Sequence, residues 1–246
     1  KPIDLGTLSG NLSTAVDINN LGQVVGYSSQ IFLWEKGVMV NLGDIGGFDS
    51  YPSQINDNGQ FSGTAYSALH EPRAFLWEKG VVTFLGTLGG PGSVAGGINS
   101  RGQIVGSSHT ALGLPHAFLW DRDGMIDLGA MGGRTSEADA INDSGQVSGC
   151  YSMSAFDGSG FLWSKGVMTA LGISSGTQCK GFAINARGQI VGSDYFWDKG
   201  VLTELGDLGG GGTYAYALND FGQVVGSGWT KEGAEHAFLW QTGVMT

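Results

Sequence analysis

Glu137 and Asp139 stand two residues apart, and Lys180 occupies the place of Glu137 one repeat later. Two carboxylates at i and i+2 of a strand share a face. An adjacent ammonium would hold their proton affinities apart, an arrangement suited to general acid–base work in a hydrolase or lyase. Lys180 would also stabilise developing negative charge. Cys179, beside it, reads as a thiolate nucleophile whose pKa Lys180 lowers, as one end of a disulfide to Cys150, or as a plain buried thiol. Tyr51, Tyr214 and Tyr216 are rings that could stack on sugars while nearby carboxylates accept hydroxyl hydrogen bonds. Catalysis and binding are therefore both open readings of one set: Tyr51, Glu137, Asp139, Cys179, Lys180, Tyr214 and Tyr216.

These residues belong together because the chain is an internal repeat, occurring six times at intervals of about 34–43 residues. Its marks are an Asn followed three residues later by Gly-Gln, an aromatic-Leu-Trp, and a Leu-Gly. The Asn positions are Asn19, Asn56, Asn99, Asn142, Asn185 and Asn219. Six residues before each stand Ser13, Ser50, Ser93, Ser136, Cys179 and Thr213, which reads as a ring of small hydroxyls broken once by a thiol. The next position gives Thr14, Tyr51, Val94, Glu137, Lys180 and Tyr214. Two further on lie Val16, Ser53, Gly96, Asp139, Phe182 and Tyr216. A scaffold alone favours similar residues in all six units; these differ and are often polar or aromatic. The alternative is that they pack and pair between neighbouring units.

Each unit reads as four short strands. In the third they are Ala95–Asn99, Gln103–Ser107, Ala117–Trp120 and Met125–Leu128. Asn-Ser-Arg-Gly makes the first hairpin turn, Asn capping its own backbone and Gly taking positive φ. No segment sustains a 3.6-residue apolar period, so helices should be nearly absent. Four strands in ~40 residues, repeated six times, predict an all-β, six-bladed β-propeller with four antiparallel strands per blade. Residues 1–246 then form a single domain. Gly243–Thr246 begins a fourth strand that Ile3–Gly6 would continue, so the N-terminal piece should complete the last blade and close the ring.

The motifs Leu85–Gly90, Ile98-Asn99, Gly102–Gly106 and His116–Trp120, the last repeated at His236–Trp240, resemble the HAF-repeat family of extracellular bacterial proteins. The likeness covers essentially the whole chain. It implies a secreted or extracytoplasmic protein and carries no general activity. The His becomes Arg73 in the second unit and departs further elsewhere, so six functional histidines are excluded.

Other repeated residues read as structural. Each Asn is an Asx-type turn stabiliser, and the six tryptophans fill gaps between blades. The Leu-Gly-x-Leu-Gly-Gly segments lack the Gly-Lys-Ser/Thr and the helix of a phosphate cradle. Acidic turns such as Asn56–Gly59 lack the ligand set of a calcium loop. His70, His109, His116 and His236 show no metal-ligand spacing. No metal and no cofactor are expected.

A net charge of −10 with twelve scattered Lys and Arg argues against nucleic acid, whose phosphates demand clustered basic residues. No apolar run approaches the ~18–20 residues needed to span a membrane. The 45 glycines with only five prolines fit many tight turns. Turns one-to-two and three-to-four are short and uniform; connections two-to-three and four-to-one vary and should lie on the opposite face. The longest excursions are Ala65–Arg73, Ser108–His116, Tyr151–Ser159 and Gly228–His236. Function concentrates on loops held by a rigid scaffold. The expected function is thus a binding module for a glycan or other polar small ligand on that face. A carbohydrate-active hydrolase or lyase using Glu137, Asp139 and Lys180 is the second reading, and a structural or protein-interaction propeller the third.

Overall fold

The computed structural model describes every residue except Lys1, Asp44, Phe48, Ala155, Phe156, residues 177–182 and Ser193, and it does not describe the side chains of Asp157 and residues 173–176. The chain divides into two compact units, residues 1–127 and 128–246. No helix occurs among the described residues.

Blades one to three belong to the first unit. Blade one is β1 (Thr14–Ile18), β2 (Val24–Ser28), β3 (Gln30–Glu35) and β4 (Val38–Asn41). Blade two is β5 (Asp49–Ile55), β6 (Phe61–Tyr66), β7 (Pro72–Glu78) and β8 (Val81–Phe84). Blade three is β9 (Gly89–Ile98), β10 (Ile104–Thr110), β11 (Pro115–Asp121) and β12 (Gly124–Gly129), the last strand running across the division.

The second unit holds the other three. Blade four is β13 (Thr135–Ile141), β14 (Val147–Ser154), β15 (Asp157–Ser164) and β16 (Val167–Gly176). Blade five is β17 (Ala183–Ile184), β18 (Ile190–Gly192), β19 (Tyr195–Asp198) and β20 (Val201–Glu204). Blade six is β21 (Gly209–Leu218), β22 (Val224–Thr230), β23 (Glu235–Gln241) and β24 (Val244–Met245). Every sheet is a four-stranded meander in chain order.

The repeat's apolar residues explain the core. Phe32, Phe75, Phe118 and Phe161, two places before each Trp, are fully buried. Each lies across from a glycine of the second strand, as Phe75 does from Gly63. A Cβ on Gly63 would stand 2.4 Å from Phe75 Cζ and 2.6 Å from the Tyr51 carbonyl oxygen. The glycine is therefore space for the ring. The tryptophans border this core. Trp77 stacks on Phe61 at 5.0 Å within blade two, while Trp240 of blade six lies 5.0 Å from Phe196 of blade five. The gap-filling expectation thus describes Trp240, and also Trp120, which clusters with Ala74 and Leu76 of blade two, while phenylalanine forms the centre of the blade.

The Asn hairpins do more than cap a turn. Asn56 Oδ1 accepts the backbone N–H groups of Asn58 and Gln60, both at 3.0 Å. Its Nδ2 donates to Gln60 Oε1 at 2.7 Å and to the carbonyl of Asn99, in the next blade, at 2.8 Å. The positive φ of 71° at Gly59 lets the turn close beneath the Gln23 amide of blade one, 3.2 Å from where a Cβ would lie.

One expectation changes. The long excursions between second and third strands are mostly ladder: Tyr66 pairs with Pro72, His109 with Pro115 and Trp229 with Glu235, leaving short turns at the tips. Continued pairing satisfies backbone groups that an irregular loop would leave to water. Residues 2–7 belong to no strand. That segment meets its backbone needs locally, Gly6 donating to Asp4 Oδ1 and accepting from Ser13 Oγ.

Candidate functional site

The aligned hydroxyls are turn pins. Ser13 Oγ donates to the Gly6 carbonyl at 2.7 Å, Ser93 to Gly86 at 2.8 Å, Ser136 to Gly129 at 2.6 Å and Thr213 to Gly206 at 2.7 Å. Ser93 and Ser136 are each 1% exposed. Each of these four hydroxyls locks its own Leu-Gly turn to the start of the first strand, which explains their recurrence without a ligand. Cys179, at the same place in blade five, and its neighbour Lys180 lie outside the described residues.

The variable position further along the strand is a bulge. The β1–β2 ladder shifts register between Ala15 and Asp17, β13–β14 between Ala138 and Ala140, and β21–β22 between Ala215 and Ala217. Val16, Asp139 and Tyr216 are the extra residues. A bulge breaks the alternation of a strand and re-aims the side chain. The premise that Glu137 and Asp139 share a face as i and i+2 of a regular strand therefore does not hold. Glu137 lies opposite Cys150 in the ladder, and Asp139 falls within the register shift. The paired glycines Gly96-Gly97 at this point of blade three were a visible sequence signal of the bulge.

Tyr51 is gathered with groups that sequence reasoning did not select. Its ring lies 5.4 Å from that of Tyr27 in blade one, at 88°, and 6.3 Å from that of Tyr66 in its own blade, at 76°. Tyr27 and Tyr51 are 36% and 44% exposed, so both rings face solvent as well as each other. They line a cavity of about 360 Å³ together with Gln30, Asp49 and Ser50. Asp49 is two residues before Tyr51 on β5 and opposite Tyr66 in the ladder, which puts the carboxylate on the face that carries the rings. The β2–β3 turn and the connection from β4 to β5 supply the rest of the wall. Gly47 belongs also to a second concavity of about 500 Å³ bordered by Glu71 and Arg73.

Tyr214 and Tyr216 come together in blade six. Tyr216 Oη lies 2.7 Å from Ser227 Oγ, which donates to Glu235 Oε1 at 2.6 Å, and Ser227 faces Tyr214 in the ladder. Because the serine proton goes to the carboxylate, the phenol donates to the serine. This surface chain orders Tyr216 beside Glu235. Neither Ser227 nor Glu235 could be found without the strand register.

Cys150 is buried and disulfide-bonded; the nucleophile and plain-thiol readings concerned Cys179, which lies outside the described residues. Asp17 is a half-buried carboxylate of the first unit: its Oδ2 accepts the Ile55 N–H at 2.8 Å and its Oδ1 the Ile18 N–H at 2.9 Å. Burial pushes its carboxyl above the ordinary value, and the two N–H groups oppose that rise. His116 Nδ1 sits 3.0 Å from Asp127 Oδ2, which orients the ring on β11. No group of three or more His, Cys, Asp or Glu among the described residues is placed to hold a metal ion. Among the described residues no helix is long and apolar enough to cross a membrane.

No protein-family model and no curated protein matches the chain. Solved structures do. A TolB from Acinetobacter baumannii aligns over 94% of this chain and 55% of its own at 13% identity, with a TM-score of 0.57. A puromycin hydrolase aligns over 97% of this chain and 45% of its own at 14% identity, with a TM-score of 0.61. The acylaminoacyl peptidase of Pyrococcus horikoshii aligns over 95% of this chain and 45% of its own at 12% identity, with a TM-score of 0.52. The chain spans about half the length of these structures. At such identities the likeness is one of fold, not of activity. With six four-stranded antiparallel sheets in chain order, that fold is the six-bladed β-propeller.

Proposed function

We propose that this propeller is an extracytoplasmic binding module of the HAF-repeat kind, taking a polar small ligand, a glycan foremost, in the concavity of blades one and two. One observation carries the reading. Two partly exposed tyrosine rings stand at right angles on the wall of a cavity of about 360 Å³, with Asp49, Ser50 and Gln30 beside them. Binding pockets combine apolar and aromatic walls with a few placed polar groups, and tyrosine pays little conformational entropy for a large contact area. The site uses the two-to-three and four-to-one connections, the side on which the repeats vary. The Cys150 disulfide supports an oxidising compartment, where such bonds persist.

Tyr214 and Tyr216, ordered by Ser227 and Glu235, are a second candidate contact surface of the same chemistry. No observation favours the hydrolase or lyase reading: Glu137 and Asp139 are separated by a bulge, and Lys180 lies outside the described residues.

Isothermal titration of the full chain against a broad oligosaccharide panel tests this. Binding to at least one member, weakened about tenfold or more by Tyr51→Ala, is expected. A panel without binding, or binding indifferent to Tyr51, would overturn the proposal.

A further inference from the structure

We infer that the ligand of the blade one–two cavity carries an organic ammonium group. The inference rests on the binding reading above and adds the charge of what is bound. Tyr27 and Tyr51 meet at 88° with centroids 5.4 Å apart. They form a corner. A corner of π faces suits a compact cation, which the ring quadrupoles attract from two sides at once. Tyr66 continues the corner at 76° to Tyr51.

The second observation is the counter-charge. Asp49 lines the cavity, is exposed, and has no hydrogen bond or ion pair among the described residues. It stands on the tyrosine face, opposite Tyr66 and two residues from Tyr51. No Lys, Arg or His is among the described residues lining this cavity; Arg73 borders the neighbouring concavity. A chain of net charge −10 draws cations toward such a site over a Debye length of roughly 10 Å at 0.1 M salt. Asp49 then supplies the close ion pair and the rings the desolvated walls, while Ser50 and the Gln30 amide nitrogen, whose Oε1 accepts from Asn41 Nδ2 at 2.8 Å, stand by for hydroxyls of the rest of the ligand.

The test titrates the full chain at pH 6 with a glucosamine tetrasaccharide and with its fully N-acetylated counterpart, the second having the same hydroxyls without the charge. The amine form should bind about tenfold more tightly, and more weakly as salt rises. Asp49→Asn should remove most of that preference while leaving the acetylated form unchanged. Tyr51→Phe should keep it, because the π face remains, and Tyr51→Leu should lose it. Tetramethylammonium chloride should compete with the amine form. Equal affinity for the two sugars, or an Asp49→Asn variant that keeps the preference, overturns the ammonium inference while the saccharide-binding reading stands. Binding of neither sugar counts against both.

Discussion

Asn56 Nδ2 donates to the carbonyl oxygen of Asn99, 43 residues further along the chain, at 2.8 Å. The same bond joins Asn19 to Asn56 at 2.9 Å, Asn142 to Asn185 at 3.0 Å and Asn185 to Asn219 at 2.9 Å. These four Asn are thus links from one blade to the next as well as turn formers. Replacing Asn56 by Ala removes two acceptor bonds and two donor bonds at a buried position. Buried groups left without partners cost about 1–3 kcal/mol each, and water will reach some of them. A loss of about 3 kcal/mol is expected in urea unfolding. A loss no larger than that of an exposed Asn-to-Ala change would contradict the linking role.

Ser93 tests whether the aligned hydroxyls are structural. Its Oγ donates to Gly86 and accepts the Ala74 N–H at 3.1 Å. Ser93→Ala should lower stability by about 2 kcal/mol and leave ligand affinity at blades one and two unchanged. A loss of affinity without a loss of stability would return the hydroxyl to a binding role.

Gly63 tests the packing of ring on glycine. A methyl group there would meet Phe75 Cζ at 2.4 Å and the Tyr51 carbonyl at 2.6 Å. The backbone oxygen cannot swing aside as a side chain does. Gly63→Ala should cost about 3 kcal/mol or more, seen as a lower thermal midpoint. Exposed Gly80, with open space around its Cβ direction but a φ of 86°, should cost only about 1 kcal/mol on the same change.

Asp17 carries a pH dependence with a definite sign. Its folded pKa lies above the ordinary 3.8 because of burial, so in the window from 3.8 upward to the folded value the native state holds more proton than the unfolded one. Stability contributed by this group therefore falls as pH rises through that window, and the burial penalty is complete above it. The difference in stability between the wild type and Asp17→Asn, followed by urea midpoints from pH 3.5 to 7, should change with pH in that sense and level off above it. A difference that is flat across the range would refute the assignment.

Much of the fold could be read from the chain because the repeat exposes its own grammar. Asn-x-x-Gly-Gln dictates a hairpin whichever blade it stands in, since the Asx bonds and the positive φ are local matters. Phe-Leu-Trp alternates as a strand must, and six copies leave few architectures. Tyr51, Tyr214 and Tyr216 were visible as departures from that regularity. Tyr27, Tyr66 and Asp49 were not, because Tyr27 reaches Tyr51 from another blade and Asp49 gains meaning only from its place opposite Tyr66.

The bulge shows the limit most clearly. Counting residues from the Asn aligned Glu137 with Lys180 and Asp139 with Tyr216, but counting cannot tell a pleat from an extra residue between pleats. The register slip between Ala138 and Ala140 is fixed by which neighbours β14 offers, and those lie elsewhere in the sequence. The hydroxyl series was likewise aligned correctly, but its task was not legible, since only the folded chain brings Ser93 Oγ to the Gly86 carbonyl. Local bonding rules are written along the chain and so determined the strands, turns and blade count. The direction in which a side chain points, and what stands opposite it, depends on long-range pairing, so the tertiary structure alone decided which residues meet.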